Sequence, residues 1–197
     1  MNWKVAAGSL GCRLKGIAVM TTSFDSDDPA DAAASLQVIV DAATGLLLRS
    51  ADRLTDHQAR EPSLLPGWSR GHLLTHVARN ADSLRNLLVW ARTGVETPQY
   101  SHPAERAEGI EAGAGRPAAE LIADLASSAA ALDAEAGRLP DSAWAAHVRG
   151  TKGNAHPAWY TLWRRLTELE FHHVDLDLGY SAADWPDSFA AYGGPVG

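Results

Sequence analysis

Four segments of the sequence repeat apolar residues at intervals of three and four, the pattern of an amphipathic α-helix. They begin near Pro29, Ser69, Pro117 and Pro157, and each carries one apolar stripe. No stretch shows the alternation of apolar and polar residues that would favour a strand instead. Helices of this kind bury their stripes against one another, so the pattern predicts an all-α four-helix bundle.

Capping residues and glycines set the predicted ends of these helices. Ser69 is expected to cap the second helix and Gly94 to end it. Two of the three connections are about twenty residues long, enough to cross the bundle, so the pattern leaves the topology open. The predicted limits are Pro29 to about Leu54, Ser69 to Gly94, a third helix from Pro117, and Pro157 to about Leu178.

Composition narrows the class of protein. Hydrophobic residues make up 46% and charged residues 21% of the chain, as in a soluble globular domain, and the net charge is −7. This acidic balance argues against a nucleic-acid or anionic-membrane partner. No apolar run is expected to reach the roughly 20 residues that a membrane span requires. A single cysteine, Cys12, rules out an internal disulfide and indicates a reducing, cytoplasmic compartment.

The N-terminal segment differs from the rest of the chain. Residues 1–19 contain basic residues but no acidic one, and glycines and charges interrupt their apolar stretch, unlike a signal peptide. The chain turns acidic soon after Met20. We therefore expect a disordered extension at 1–19, a bundle domain at 20–180 and a short C-terminal tail at 181–197.

The fourth predicted helix carries the residues with the most distinctive chemistry. Glu168 and His172 are four residues apart, which places a carboxylate and an imidazole on one helix face. If the second helix brings His76 opposite that face, two nitrogens and one oxygen converge, as in a catalytic zinc or similar divalent site. Asp175 is placed to accept a hydrogen bond from the other ring nitrogen of His172. Arg164, one turn before Glu168, is a candidate to pair with it or with a substrate carboxylate.

Spacing alone leaves a structural interpretation open. A single histidine on an apolar face is usually a core residue, and in this interpretation Glu168 forms only an ion pair with Arg164 or Arg165. His72 shares a helix face with His76, but it falls in the first turn and is expected at the rim. His173 is rotated about 100° from His172 and is expected to point elsewhere.

Two sequence blocks carry a family resemblance. They are SLLPGWSRGHLLTHVARNADSL at 63–84 and WRRLTELEFHHVDLDLGY at 163–180. In order and separation they resemble the N-terminal domain of the mycothiol-dependent maleylpyruvate isomerase family, within the wider DinB-like metal-binding bundles. The resemblance extends over about residues 35–180. It implies an up-down-down-up bundle, metal ligands at His76, Glu168 and His172, and Asp175 as the aspartate that follows the last ligand.

The resemblance also implies a reaction. A divalent metal, usually zinc, binds the thiol of mycothiol, and the thiolate adds to the cis double bond of maleylpyruvate. Rotation and loss of the thiol then give fumarylpyruvate. The expected partners are therefore a small-molecule thiol and a small anionic or electrophilic substrate. Family isomerases carry a further domain after the bundle, and the residues after Tyr180 are too few to form it.

Two alternatives remain from the sequence. The same thiolate would serve a mycothiol-dependent S-transferase that acts on an unrelated electrophile. In the other alternative, the protein is a non-catalytic metal-binding bundle. The ligand types do not decide among zinc, nickel and iron.

Overall fold

The computed structural model describes residues 27–191, so expectations for residues 1–19, Met20 and Cys12 lie outside the described part. Within it the chain is mainly helical, which confirms the all-α prediction. The helices are α1 (Pro29–Ala51), α2 (Asp56–Arg60), α3 (Arg70–Thr93), α4 (Glu105–Ala114), α5 (Ala118–Ala136), α6 (Tyr160–Asp175) and α7 (Asp187–Ala191). Short 3-10 turns lie at Asp141–Ala145 and Ala182–Asp184, and a two-stranded hairpin at β1 (His147–Arg149) and β2 (Ala155–Pro157).

Local capping chemistry sets several helix ends where the sequence predicted them. Asp28 accepts a hydrogen bond from the backbone N–H of Ala30 at the start of α1. Ser69 and His72 form a reciprocal capping box at the start of α3, and Gly94 ends that helix with φ 72°. The fourth predicted helix starts later than expected, at Tyr160, because Pro157 pairs with β1 in the hairpin.

Helices α1, α3, α5 and α6 form the bundle, and cross-helix contacts fix their directions. His173 near the end of α6 lies 2.7 Å from Ser50 near the end of α1, so these two helices are parallel. His76 near the start of α3 lies 3.0 Å from Glu168 in the second half of α6. Helix α3 therefore runs antiparallel to α6.

Two ion pairs show that α5 runs parallel to α3. Arg79 pairs with Asp124 in the first half of each helix, and Arg92 pairs with the buried Glu135 near the end of each. The order is therefore up-down-down-up, and the connection between α3 and α5 must cross the length of the bundle. The connection between α5 and α6 does not cross; it forms the hairpin instead.

Helix α4 lies within the long connection between the second and third predicted helices, where the sequence pattern predicted no helix. It packs along α3, where glycines allow a close approach. A Cβ atom on Gly71 would clash with the backbone carbonyl oxygen of Ala114, and one on Gly113 would clash with Thr75. This contact holds α4 beside the N-terminal half of α3, where the candidate site lies.

The prediction about membrane spans is wrong for helix α1. By length and composition alone it is apolar enough to cross a membrane, contrary to the expectation that no segment would be. Its charged residues are Asp31, Asp41 and Arg49, and most of the others are small or aliphatic. In the bundle its inner face is buried, with Leu36 and Leu47 fully inaccessible, as in the core helix of a globular domain.

Candidate metal centre

Helix α3 supplies the first candidate ligand. The capping box fixes the first turn of α3, and His76 follows in the second turn, where its side chain is only 5% exposed. The indole of Trp68 approaches the His76 ring edge-on, with 5.5 Å between ring centroids. These contacts direct the imidazole towards α6.

Helix α6 supplies the other two. Glu168 and His172 are one turn apart on the face that meets α3, and their side chains are 32% and 17% exposed. Oε2 of Glu168 lies 3.0 Å from Nε2 of His76 and 3.2 Å from Nε2 of His172. The two Nε2 atoms are 3.1 Å apart. The three predicted ligands therefore converge on one point.

The spacing of these donor atoms suits a divalent cation. Zinc bonds of about 2.0–2.2 Å hold neighbouring ligand atoms roughly 3.0 Å apart at octahedral angles and roughly 3.4 Å apart at tetrahedral angles. The observed separations of 3.0, 3.1 and 3.2 Å fall within that range. Two nitrogens and one carboxylate oxygen are also the donor types found in catalytic zinc sites. By spacing and by donor type, His76, Glu168 and His172 fit such an ion.

The cluster is strongly polarised. Burial opposes charge on all three groups, and it lowers the pKa of His76. At Glu168 the hydrogen bonds to both histidines outweigh burial, and the pKa of this carboxyl falls far below its usual range. At His172 the hydrogen bonds to Asp175 and Glu168 outweigh burial and raise the pKa to about 9. Near neutral pH the cluster therefore holds one carboxylate and one imidazolium, so a positive charge is stabilised where a cation would sit.

Asp175 lies where the sequence placed it. Its Oδ2 atom is 2.9 Å from Nδ1 of His172, on the side of the ring opposite the cluster. If His172 gives up its Nε2 proton on binding a metal, this contact keeps the remaining ring proton on Nδ1, and the Nε2 lone pair then faces His76 and Glu168.

Among the described residues, neither Arg164 nor Arg165 lies within ion-pair distance of Glu168, so the ion pairs of the structural interpretation do not form. Arg164 donates hydrogen bonds to Gln99 and His156 instead. Arg165 is fully buried and donates to the carbonyl oxygen of Val77 on α3, and burial lowers its pKa to about 10.

His72 and His173, the two neighbouring histidines that the sequence analysis considered, point away from the cluster. Nδ1 of His72 lies 2.7 Å from Ser69 Oγ in the capping box. His173 stacks on Tyr180, with ring centroids 3.7 Å apart, and lies against Ser50. Neither contributes to the three-residue cluster.

Arg106 is the residue at this site that the sequence analysis missed. It lies on α4, and its Nη2 atom is 3.3 Å from Nδ1 and 3.5 Å from Nε2 of His76. Its guanidinium also lies over the Trp68 ring, 5.8 Å from the centroid. No motif marks Arg106, because its position depends on the close packing of α4 against α3.

Comparisons with known proteins agree with this fold. A sequence model of the mycothiol maleylpyruvate isomerase N-terminal domain matches residues 40–177. The fold is similar to a crystal structure of a mycothiol-dependent maleylpyruvate isomerase, with 34% identity and a TM-score of 0.78 over 81% of this chain and 66% of that chain. A histidine-to-alanine mutant of such an isomerase gives 34% identity and a TM-score of 0.76 over the same shares.

This chain thus spans slightly less than two thirds of the length of the isomerases it resembles. Among proteins of curated function, none matches its sequence significantly. The domain model alone covers more than half of the chain, and the structural likeness covers 81% of it. The chain therefore belongs to the mycothiol maleylpyruvate isomerase N-terminal domain family.

Proposed function

We propose that the protein is a metal-dependent, mycothiol-using isomerase of the maleylpyruvate isomerase type. The observation that carries this proposal is the convergence of His76, Glu168 and His172 within 3.0–3.2 Å, in a chain of this family. Zinc is the metal we propose, because two imidazole nitrogens and one carboxylate oxygen form a known ligand set of catalytic zinc sites. The names of the similar structures support mycothiol as the thiol. A reducing cytoplasm, where a free thiol persists, is the proposed location.

The protein's own residues have separable roles in this proposal. His76 and His172 offer nitrogen lone pairs, and Glu168 offers a carboxylate oxygen. Asp175 holds the proton of His172 on Nδ1, so that Nε2 faces the cluster. When bound, a divalent metal would lower the pKa of a coordinated thiol, so that mycothiol is deprotonated at neutral pH.

The site is accessible to a small molecule from solvent. His76 is buried, but Glu168 is one-third exposed, so the cluster is open on one side. The sequence has one cysteine, Cys12, which is outside the described residues. The described part of the chain therefore supplies no thiol, and the proposed nucleophile comes from the cofactor.

The proposed reaction conserves all atoms. The thiolate sulfur forms a bond to one carbon of the cis double bond of maleylpyruvate, and the π electrons move towards the conjugated carbonyl. Rotation about the resulting single bond follows. The carbon–sulfur bond then breaks, which restores the double bond in the trans configuration and releases the thiolate. Neither an oxidant nor a reductant is consumed.

Metal analysis tests the metal dependence in this proposal. Protein purified without chelator should contain about one equivalent of divalent metal. The variants His76→Ala and His172→Ala should lose this high-affinity binding, whereas the control His57→Ala should keep it, because His57 is 86% exposed on α2. A wild-type protein that takes up well under one equivalent when zinc is supplied would contradict the proposal.

An activity assay tests the mycothiol-dependent isomerisation in this proposal. Metal-loaded protein with mycothiol should convert maleylpyruvate to fumarylpyruvate, and either substitution at the cluster should abolish the conversion. A parallel assay with a model electrophile measures S-transfer. Isomerisation without S-transfer supports the proposal, whereas S-transfer without isomerisation would replace it with the detoxification alternative.

A further inference from the structure

We propose that Arg106 forms an anion-binding position on the open side of the cluster and binds a carboxylate of the substrate there. This inference rests on the proposed function, because it assigns the substrate's position beside the same metal. It concerns a residue that lies outside the two family blocks at 63–84 and 163–180.

The packing of α4 against α3 fixes the backbone position from which the Arg106 side chain extends. Gly71 and Gly113 bring α4 against α3 more closely than any larger residue would allow. Ile110, on the inner face of α4, is buried and anchors the helix, while Arg106 is one turn earlier and exposed. Helix α4 is therefore a firm support for a side chain that reaches the solvent side of His76.

The guanidinium of Arg106 is available for a ligand. No carboxylate of the described residues lies within ion-pair distance of it. Its contacts are the ring nitrogens of His76, at 3.3 and 3.5 Å, and the face of Trp68. Stacking on an aromatic face holds an arginine in place and leaves its N–H edges free.

Metal binding changes the hydrogen-bonding capacity of His76. Nη2 of Arg106 lies 3.3 Å from Nδ1 and 3.5 Å from Nε2 of His76, so it sits beside both ring nitrogens. If Nε2 holds a metal, the ring proton must sit on Nδ1. His76 would then offer Arg106 no lone pair. The guanidinium over Trp68 would have its N–H donors available for an anion.

The chemistry of the Arg106 guanidinium suits a carboxylate. A guanidinium presents two parallel N–H donors that match the two oxygens of a carboxylate. Arg164 is the other candidate cation nearby, but it is engaged by Gln99 and His156. Arg106 is therefore better placed to select a small carboxylate as the ligand beside the metal.

Binding of maleate, a small dicarboxylate with a cis double bond, to the cobalt-loaded full chain tests this inference. Wild-type protein should bind maleate with a change in the cobalt absorption spectrum, and Arg106→Gln should weaken binding at least tenfold. Arg106→Lys, which keeps the charge but loses the paired donors, should give an intermediate loss. Dimethyl maleate, an uncharged ester, should bind equally weakly to all three proteins.

Arg138→Gln is the matched control. It removes the same charge near the far end of α5, next to Glu135 and Arg92. Arg92 is 16 residues beyond His76 on α3, roughly 24 Å at 1.5 Å per residue. Maleate affinity should be unchanged in this variant.

The metal and thiol measurements separate this inference from the proposed function. Arg106→Gln should hold one metal ion at least as tightly as wild type, because a cationic neighbour of His76 is removed, and should still bind mycothiol. Equal maleate affinity in wild type and Arg106→Gln, or no maleate binding by metal-loaded wild type, overturns the inference alone. Failure of the wild-type protein to bind metal overturns the proposed function and the inference together.

Discussion

Nδ1 of His172 lies 2.9 Å from Oδ2 of Asp175, three residues further along the same helix. The pair spans the end of α6, so the backbone of one helical turn sets its geometry. Because Asp175 contacts Nδ1 of His172, the other ring nitrogen, Nε2, faces His76 and Glu168. The sequence spacing of the pair thus determines which atom of His172 is available for a metal.

Removing Asp175 should weaken metal binding without removing a ligand. The variant Asp175→Ala frees the ring of His172 to rotate and reduces the basicity of Nε2, so we expect a loss of about 10–100-fold in zinc affinity. Competition with a chromophoric chelator measures this loss. Asp187→Ala, an exposed aspartate on α7, is the control and should bind zinc like wild type. Equal affinities in both variants would show that Asp175 does not support the site.

Zinc affinity should depend on pH through His172. In the metal-free protein the pKa of His172 is raised to about 9, whereas the pKa values of His76 and Glu168 are lowered. Binding at neutral pH must therefore displace about one proton, since a metal ligand must be deprotonated. The apparent association constant should rise about tenfold for each pH unit from 7 towards 9 and then level off.

Proton release gives an independent measurement of the same event. Addition of zinc to metal-free protein at pH 7 in weak buffer should release about one proton per site. Asp175→Ala removes a group that raises the pKa of His172, so it should release a smaller fraction of a proton. Zinc affinity that stays constant between pH 7 and 9 would contradict protonation of His172 in the metal-free site.

Apolar spacing predicted the bundle, and residue spacing together with the family resemblance predicted the three converging side chains. Ser69 and Gly94 act through local backbone chemistry, so the ends of α3 follow from a few neighbouring residues. Glu168 and His172 share a face because helical geometry fixes an i,i+4 pair. Only the approach of His76 required a tertiary assumption, and its position in an apolar stripe indicated it.

The parts that the sequence did not reveal depend on contacts between distant segments. Helix α4 has a single large aliphatic residue, Ile110, and two glycines, so its pattern is that of a loop. It is stabilised by close packing on Gly71, which no local pattern reveals. Arg106 was missed for the same reason. The start of α6 was misplaced because Pro157 is compatible with a first helical turn as well as with an edge strand.

The close contact between α3 and α4 should be sensitive to one added methyl group. A Cβ atom in Gly71→Ala would clash with the carbonyl oxygen of Ala114, which is backbone and cannot move alone. We expect a loss of about 1–3 kcal/mol in the free energy of unfolding, measured by urea denaturation. Gly115→Ala is the control, because a Cβ there meets no atom within 4 Å and its φ of −87° suits any residue. If Gly71→Ala leaves the free energy of unfolding unchanged, α4 is free to shift relative to α3.

Phe189 on α7 should be essential for stability although it follows the four main helices. Its side chain is 3% exposed and packs against Trp185 and Phe171, with ring centroids 5.3 and 5.9 Å away. Phe189→Ala leaves a cavity lined by aromatic rings, so the free energy of unfolding should fall by about 3–5 kcal/mol. Val38→Ala, at a site that is 70% exposed on α1, should change it by less than about 0.5 kcal/mol. Similar stabilities for the two variants would show that α7 does not contribute to the core, whereas the expected contrast would show that residues 181–191 fold as part of the bundle.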